Sequence, residues 1–241
     1  MAIIITGIMN IMLTKPRIVP FWWMAWIALM LFLFSLSSVT ARFLMLPGDS
    51  VRLALLEGET LDVASLDRLE ASRLRVVRWF SPASVAGDLA VLSLQRAQGA
   101  ASEEEGAAFA EAEKWQRAGL LNAPADPYGW FRLAFLFYRT EGSSAQAAKA
   151  WSQSLDAAPY EPRLSFARLQ MAMTLDPFLD DNARRHIPVL IRSLVKDDPK
   201  ALATGALVGA YVSVVEEALV NEDDDLITFR EHVSKLVKKS K

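Results

Sequence analysis

The sequence contains no cysteine among its 241 residues and only two histidines, His186 and His232. The lack of cysteine excludes disulfide bonds, a thiolate nucleophile and zinc sites with cysteine ligands. The two histidines lie far apart, and neither belongs to a His-Glu-x-x-His pattern, so surface or capping roles are favoured over catalysis. The folded chain must therefore be stabilised by packed apolar area.

Motifs for catalysis and ion binding are also missing or incomplete. The pair Ser193-x-x-Lys196 has the spacing of penicillin-binding enzymes, but their Ser-Asp-Asn and Lys-Thr-Gly elements are absent. The acidic run 221–225 lacks the alternating spacing and glycine of a calcium loop, and it predicts a helix cap instead. No glycine-rich phosphate loop occurs either. We therefore predict no enzymatic activity, no cofactor and no metal.

Clusters of basic residues are scarce as well. After residue 41 the chain has 28 acidic and 24 basic residues, and its one lysine-rich stretch is the tail 235–241. A frayed, solvated helix end explains that tail. Nucleic-acid binding requires clustered lysine and arginine that neutralise phosphates, so we predict no nucleic-acid partner.

What the sequence does contain is one long apolar run, Ile18 to Ala41, without a charged residue. About 20 apolar residues in a helix span the hydrocarbon core of a bilayer. Three tryptophans near one end, at 22, 23 and 26, suit the headgroup layer. The run predicts a transmembrane anchor over residues 18–41.

Basic residues before the anchor indicate its orientation. Lys15 and Arg17 lie in a short leader, residues 1–17, which the positive-inside rule places in the cytoplasm. The prediction is a single-pass protein of the inner membrane with its C-terminal domain in the periplasm. The sequence Val39-Thr40-Ala41 also resembles a signal-peptide cleavage site, although signal peptides have a shorter apolar region. Two alternatives therefore stay open: whether the N-terminal segment is cleaved, and whether the chain starts at Met1, Met9 or Met12.

The rest of the chain divides into a short connection and a helical domain. Residues 42–58 contain Pro47, Gly48 and Gly58 and predict a linker or neck. Residues 59–241 show amphipathic helical periodicity interrupted by proline and glycine. The run 201–215, at about 22 Å as a helix, is too short for a second span and predicts a core helix. The predicted fold is all-α, with a single N-terminal transmembrane helix.

A helical hairpin is predicted between Pro127 and Pro159, and its residues resemble a tetratricopeptide repeat (TPR). The first helix has the expected aromatic, leucine, small and second aromatic residues, and the second helix the small residue, aromatic and closing proline: Trp130, Leu133, Ala134, Phe137, Ala147, Trp151 and Pro159. One extra residue after Arg139 keeps the register. The resemblance implies an α-solenoid of stacked hairpins that binds a protein partner along its concave face.

The context of this hairpin suggests a function. The composition of Ala112 to Pro159, followed by Tyr160-Glu161-Pro162, resembles anchored helical-repeat proteins of proteobacterial envelopes, some of which belong to exopolysaccharide or secretion machinery. The expectation is a membrane-anchored interaction or scaffold subunit with protein partners in the envelope. Aromatic residues outside the hairpin seam are the candidate protein-binding residues, because exposed aromatics anchor interfaces: Tyr128, Phe131 and Tyr138.

An alternative function is a periplasmic enzyme that acts on glycans. Glycosidases use two carboxylates about 5 to 10 Å apart as acid and base. Glu141 and Glu161 flank the predicted hairpin, and a deep pocket with both groups facing across it would favour this alternative.

Overall fold

The computed structural model describes residues 22–56, 59, 61–77, 83–97 and 102–239. These residues form helices and no strands, which confirms the all-α prediction for this part of the chain. The chain divides into two compact units, residues 1–46 and 47–241. The predicted leader, 1–17, and the first residues of the predicted anchor lie outside the described residues.

The first helix, α1, spans Trp22–Leu56 and contains 35 residues. Within the described residues it is the one helix long and apolar enough to cross a membrane. Only 6% of its most apolar window is buried, so it is not a core helix of the folded chain. Its exposed side chains include Trp22, Trp26 and Phe34.

Residues 42–58, predicted as a linker or neck, are helical as far as Leu56. Pro47 lies inside α1, where its ring removes one backbone hydrogen bond without ending the helix, and the boundary between the two units falls there. The following residues belong to the helical unit. A Cβ on Gly48 would lie 2.4 Å from the Ser72 hydroxyl, so the absence of a side chain permits this close approach. Tertiary contacts stabilise the helix here, although the segment contains turn-forming residue types.

The helices that follow lie within the region of predicted helical periodicity: α2 Val63–Val77, α3 Ala83–Ala97, α4 Ser102–Asn122, α5 Pro127–Glu141, α6 Ala145–Ala157 and α7 Pro162–Leu175. Asp126 caps α5 by accepting a hydrogen bond from the Tyr128 amide, and Ser144 caps α6 through the Ala147 amide. Gly142 ends α5 with a φ of 75°, which glycine adopts without strain. Local capping chemistry therefore determines these boundaries.

Helices α5 and α6 form the predicted hairpin and pack closely on each other. Ala134, Ala147 and Trp151 are fully buried, as expected for the small and large residues of a hairpin seam. They belong to one apolar core that continues through the remaining helices: α8 Asp181–Arg184, α9 His186–Asp197, α10 Pro199–Val208, α11 Val212–Ala218 and α12 Asp223–Lys239. A short 3-10 helix, Asp176–Phe178, connects α7 to α8. A smaller cluster joins α3, α4 and α5.

The run 201–215 lies in the core as predicted, but it is not a single helix. Leu202, Ala206 and Val215 are fully buried. A turn separates α10 from α11, and Ala210 within it has a φ of 57°. The run is therefore divided between α10 and α11.

Candidate protein-binding surfaces

The three predicted interface aromatics lie on one side of α5 and are half-buried. Phe131 and Tyr138 pack against the main apolar core, so part of each ring is structural. Tyr128, at the start of the helix, interacts with the Glu161 carboxylate. Burial, together with that interaction, raises the pKa of the Tyr128 hydroxyl. The structure therefore brings the three residues onto one face, with limited exposure.

A second surface lies on the other side of α5. Trp130, Leu133 and Phe137 follow one another at helical spacing, about 150° around the axis from the predicted aromatics at 100° per residue. They line two adjoining cavities, which share Arg117, Trp130 and Leu133. We name the two together the α5 groove. Its lining comes from α4, α5, α6 and the α4–α5 loop: Arg117, Leu120, Leu121, Pro124, Trp130, Leu133, Phe137, Gln146, Lys149, Ala150 and Gln153.

The part of the α5 groove between α4 and α5 has a volume of about 510 Å³. Leu120 and Leu133 are buried there, whereas Leu121 at the edge is 86% exposed. The indole Nε1 of Trp130 donates a hydrogen bond of 2.7 Å to the Pro124 carbonyl oxygen, which fixes the ring against the loop. This half is a largely apolar depression with an exposed leucine beside it.

The part between α5 and α6 has a volume of about 410 Å³ and a more polar edge. The guanidinium of Arg117 lies 5.1 Å from the centre of the Phe137 ring and 2.7 Å from a Glu113 carboxylate oxygen. Lys149, on α6, forms no ion pair within the described residues. The described residues that line the groove include these two cations and no carboxylate, so its edge is basic.

Polar side chains hold α4 against α5 and give the α5 groove a fixed floor. Gln116, 1% exposed, accepts a hydrogen bond of 2.9 Å from Arg132 Nε. A Cβ on Gly129 would lie 2.9 Å from both Gln116 and Leu120, so the helices approach closely at this point. Burial lowers the pKa of Arg132. The Asp126 carboxylate, 3.5 Å from the Arg132 guanidinium, partly offsets this decrease. These contacts favour a preformed groove.

A buried arginine holds α7 against α6. Arg168 is fully buried, and its guanidinium donates to the Ser154 hydroxyl, the Ser154 carbonyl and the Ala158 carbonyl. Ser154 donates in turn to the Pro127 carbonyl at 2.7 Å, and Trp151 Nε1 donates to the Arg168 carbonyl at 3.0 Å. The network therefore connects the last turn of α6 with α5 and α7. Burial lowers the pKa of Arg168.

Another charged cluster joins the end of α1 to α2 and α3. Arg73 is 1% exposed, and its Nε donates to Asp88 at 2.7 Å, while its Nη2 donates to Asp49 at 2.8 Å. Asp88 also accepts a hydrogen bond of 2.8 Å from Arg52. The buried Arg73 thus has carboxylate partners on two other helices, which offset its charge. We interpret this cluster as structural.

The two glutamates of the alternative enzyme hypothesis lie at opposite ends of α5. Glu161 contacts Tyr128 in the first turn, and Glu141 is the last residue. The 13 residues from Tyr128 to Glu141 cover about 20 Å of helix. Neither glutamate lines the two cavities of the α5 groove or the cavity of about 390 Å³ between α11 and α12. No specific observation among the described residues favours their action as a pair.

Other candidate ligand groups are dispersed. Within the described residues, no group of three or more histidine, aspartate or glutamate side chains is placed to hold a metal ion. His186 begins α9, and the His232 Nδ1 atom lies 2.9 Å from the Thr228 carbonyl oxygen inside α12. The acidic residues Asp223, Asp224 and Asp225 occupy the first turn of α12, where they complement the helix dipole.

Several residues of the α5 groove were not predicted from the sequence, among them Arg117, Leu121 and Lys149. One signal was available for Leu121. Consecutive helical residues point about 100° apart, so Leu120 and Leu121 cannot both face the core. The other two positions carry no comparable local signal.

Comparisons with known proteins give no match: none of the protein-family models matches the chain, and no similar chain was found among curated proteins or solved structures.

Proposed function

We propose that the protein is a membrane-anchored interaction subunit of a bacterial envelope complex. In this proposal α1 crosses the inner membrane once, the N-terminus lies in the cytoplasm and the helical unit lies in the periplasm. The helical unit acts as a TPR-like α-solenoid scaffold that binds a protein partner, in a complex of the exopolysaccharide or secretion type.

The α5 groove is the observation that carries this proposal. A groove with an apolar floor, an exposed leucine and a basic edge offers both apolar area and charge to a partner. Support for the membrane part is the exposure of the apolar side chains along α1. The hairpin of α5 and α6, with its buried alanine and tryptophan seam, supports the solenoid part.

Crosslinking of intact cells with an amine-reactive reagent tests the proposal. We expect to recover the chain in the membrane fraction. Mass spectrometry should identify a second polypeptide that is crosslinked to lysines within residues 102–239. The control is the same chain crosslinked after purification in detergent, which should lack the second polypeptide. Recovery from the cytosol, or crosslinks to copies of this chain alone, would contradict the proposal.

A further inference from the structure

We infer that the α5 groove binds an extended peptide segment that carries apolar side chains next to an acidic residue. This inference rests on the proposed function and specifies the chemistry of the partner. It also assigns the binding to the side of α5 opposite to Tyr128, Phe131 and Tyr138.

The α5 groove offers apolar contacts to a partner. Leu133 and Phe137 form a buried floor, and Trp130 is fixed against the α4–α5 loop by its hydrogen bond to Pro124. Leu121 stands beside this floor with 86% of its surface exposed. A partner with apolar side chains would cover Leu121 and fill the depression without repacking the core.

The charge of the groove lining indicates that the partner carries an acidic residue. Of the described residues that line the groove, two are cations, Arg117 and Lys149, and none is a carboxylate. Glu113 neutralises Arg117, whereas Lys149 forms no ion pair with another described residue. An acidic side chain of the partner would supply the missing charge, and a basic one would be repelled.

The amide side chains of α6 indicate an extended backbone. Gln146 and Gln153 lie on the same side of α6 as Lys149, separated by about 10 Å along the helix axis. About three residues of extended chain cover that distance. Each amide can both donate to and accept from a peptide group, and Gln153 Nε2 already donates to Asp156 at 3.3 Å, which leaves its oxygen as an acceptor.

Selection of peptides from an unbiased library tests this inference. The full chain, held in phosphatidylcholine nanodiscs, is used to select from phage that display random dodecapeptides. We expect selected sequences to share an aspartate or glutamate next to apolar residues. Synthetic versions should bind, and binding should weaken as salt screens the charge. Selected peptides without acidic enrichment, or no selected peptide at all, would overturn the inference.

Two pairs of matched variants place the binding in the groove. Lys149→Glu reverses the lining cation and should weaken the selected peptides by about tenfold or more, as expected for a close charge pair. Lys200→Glu makes the same change at an exposed position of α10 and should leave binding unchanged. Leu121→Ser should weaken binding, whereas Val208→Ser, at a position 84% exposed, should not. Equal effects within each pair would overturn the groove assignment.

The same variants separate this inference from the proposed function. If intact cells yield a crosslinked partner that Lys149→Glu and Leu121→Ser both leave unaffected, the partner binds elsewhere and the groove assignment fails while the proposed function stands. If cells yield no partner but acidic peptides still require Lys149 and Leu121, the groove assignment stands and the proposed function fails.

Discussion

At the scale of single residues, the buried arginines Arg73 and Arg168 each hold neighbouring helices together. Arg168 contacts two carbonyl groups near the end of α6, so its guanidinium caps that helix from the neighbouring one. A planar group with five donors suits several acceptors at once, which an ammonium group cannot match. The α6–α7 joint therefore depends on one side chain.

Replacement of Arg168 by methionine tests this dependence. Arg168→Met removes the donors and leaves the Ser154 and Ala158 carbonyls without them, so we expect a loss of about 2 to 4 kcal/mol in the free energy of unfolding. Arg168→Lys should recover only part of it. Urea unfolding of the full chain in detergent, followed by circular dichroism at several denaturant concentrations, measures the change. Arg163→Met, an exposed change on the same helix, should alter stability by less than about 0.5 kcal/mol.

Tyr211 provides a second residue-scale prediction. Its side chain is 5% exposed, and within the described residues its hydroxyl has no hydrogen-bond partner. Because an unpaired buried hydroxyl is unfavourable, Tyr211→Phe should leave stability unchanged or raise it by about 1 kcal/mol. Tyr160→Phe, at a residue 68% exposed, is the matched control with little expected effect at neutral pH.

The same substitution should change the response to alkaline pH. Burial raises the pKa of Tyr211 above that of the unfolded chain, so the folded state holds this proton more tightly. The resulting stability is fully present below about pH 10, the ordinary tyrosine value, and is lost as pH rises through the folded-state pKa. Unfolding measured between pH 8 and 11 should show a smaller alkaline loss for Tyr211→Phe than for wild type. Identical losses would contradict burial of this hydroxyl.

Residue roles were predictable where they depend on neighbours in sequence. Asp126 and Ser144 cap their helices by accepting bonds from amides two or three residues away, so roles of this kind are indicated by the local sequence. The burial of Arg73 and Arg168 was not expected, because arginine is mostly exposed on average. Their partners, such as Asp49 for Arg73, lie 10 to 24 residues away in the chain.

At the scale of elements, the end of α1 depends on tertiary contacts. Residues 47–56 belong to the predicted linker or neck, and they form helix and contact α2 and α3 through Gly48, Asp49 and Arg52. The turn between α10 and α11 was not predicted. Gly209 is a helix breaker that the sequence offered, and a Cβ at that position would lie 2.5 Å from the Tyr211 ring.

Two glycines allow a matched test of the contact between α1 and α2. A Cβ on Gly48 would lie 2.4 Å from Ser72 Oγ and 3.1 Å from the Leu69 backbone, so Gly48→Ala should lower stability by about 1 to 3 kcal/mol. Gly106 in α4 has no atom within 4 Å of the same point, so Gly106→Ala should raise stability by about 0.5 to 1 kcal/mol. Thermal unfolding of both full-length variants measures the difference. The same sign for both changes would contradict the contact.

At the scale of the whole molecule, the sequence allowed prediction of the helical class and of the apolar helix near the N-terminus. Both follow from local periodicity and composition. The α5 groove could not be predicted in the same way, since its lining comes from three helices and a loop. The TPR-like residues Trp130, Leu133 and Phe137 were identified as part of a hairpin, but nothing local indicates that one side of them stays open to solvent.

The proposed topology leads to a final prediction. Because the natural sequence contains no cysteine, a single introduced cysteine is the only site that a maleimide labels. Val208, 84% exposed on α10, can be changed to cysteine with little effect on packing. If the helical unit lies in the periplasm, a membrane-impermeant maleimide should label Val208→Cys in intact spheroplasts. Thr14→Cys, in the leader expected to lie in the cytoplasm, should be labelled only after permeabilisation. The reverse pattern would place the helical unit in the cytosol.

Mass spectrometry of the labelled Val208→Cys chain distinguishes an uncleaved anchor from a chain cut after Ala41, since only the uncleaved form retains residues 18–41 and remains with the membrane after a carbonate wash.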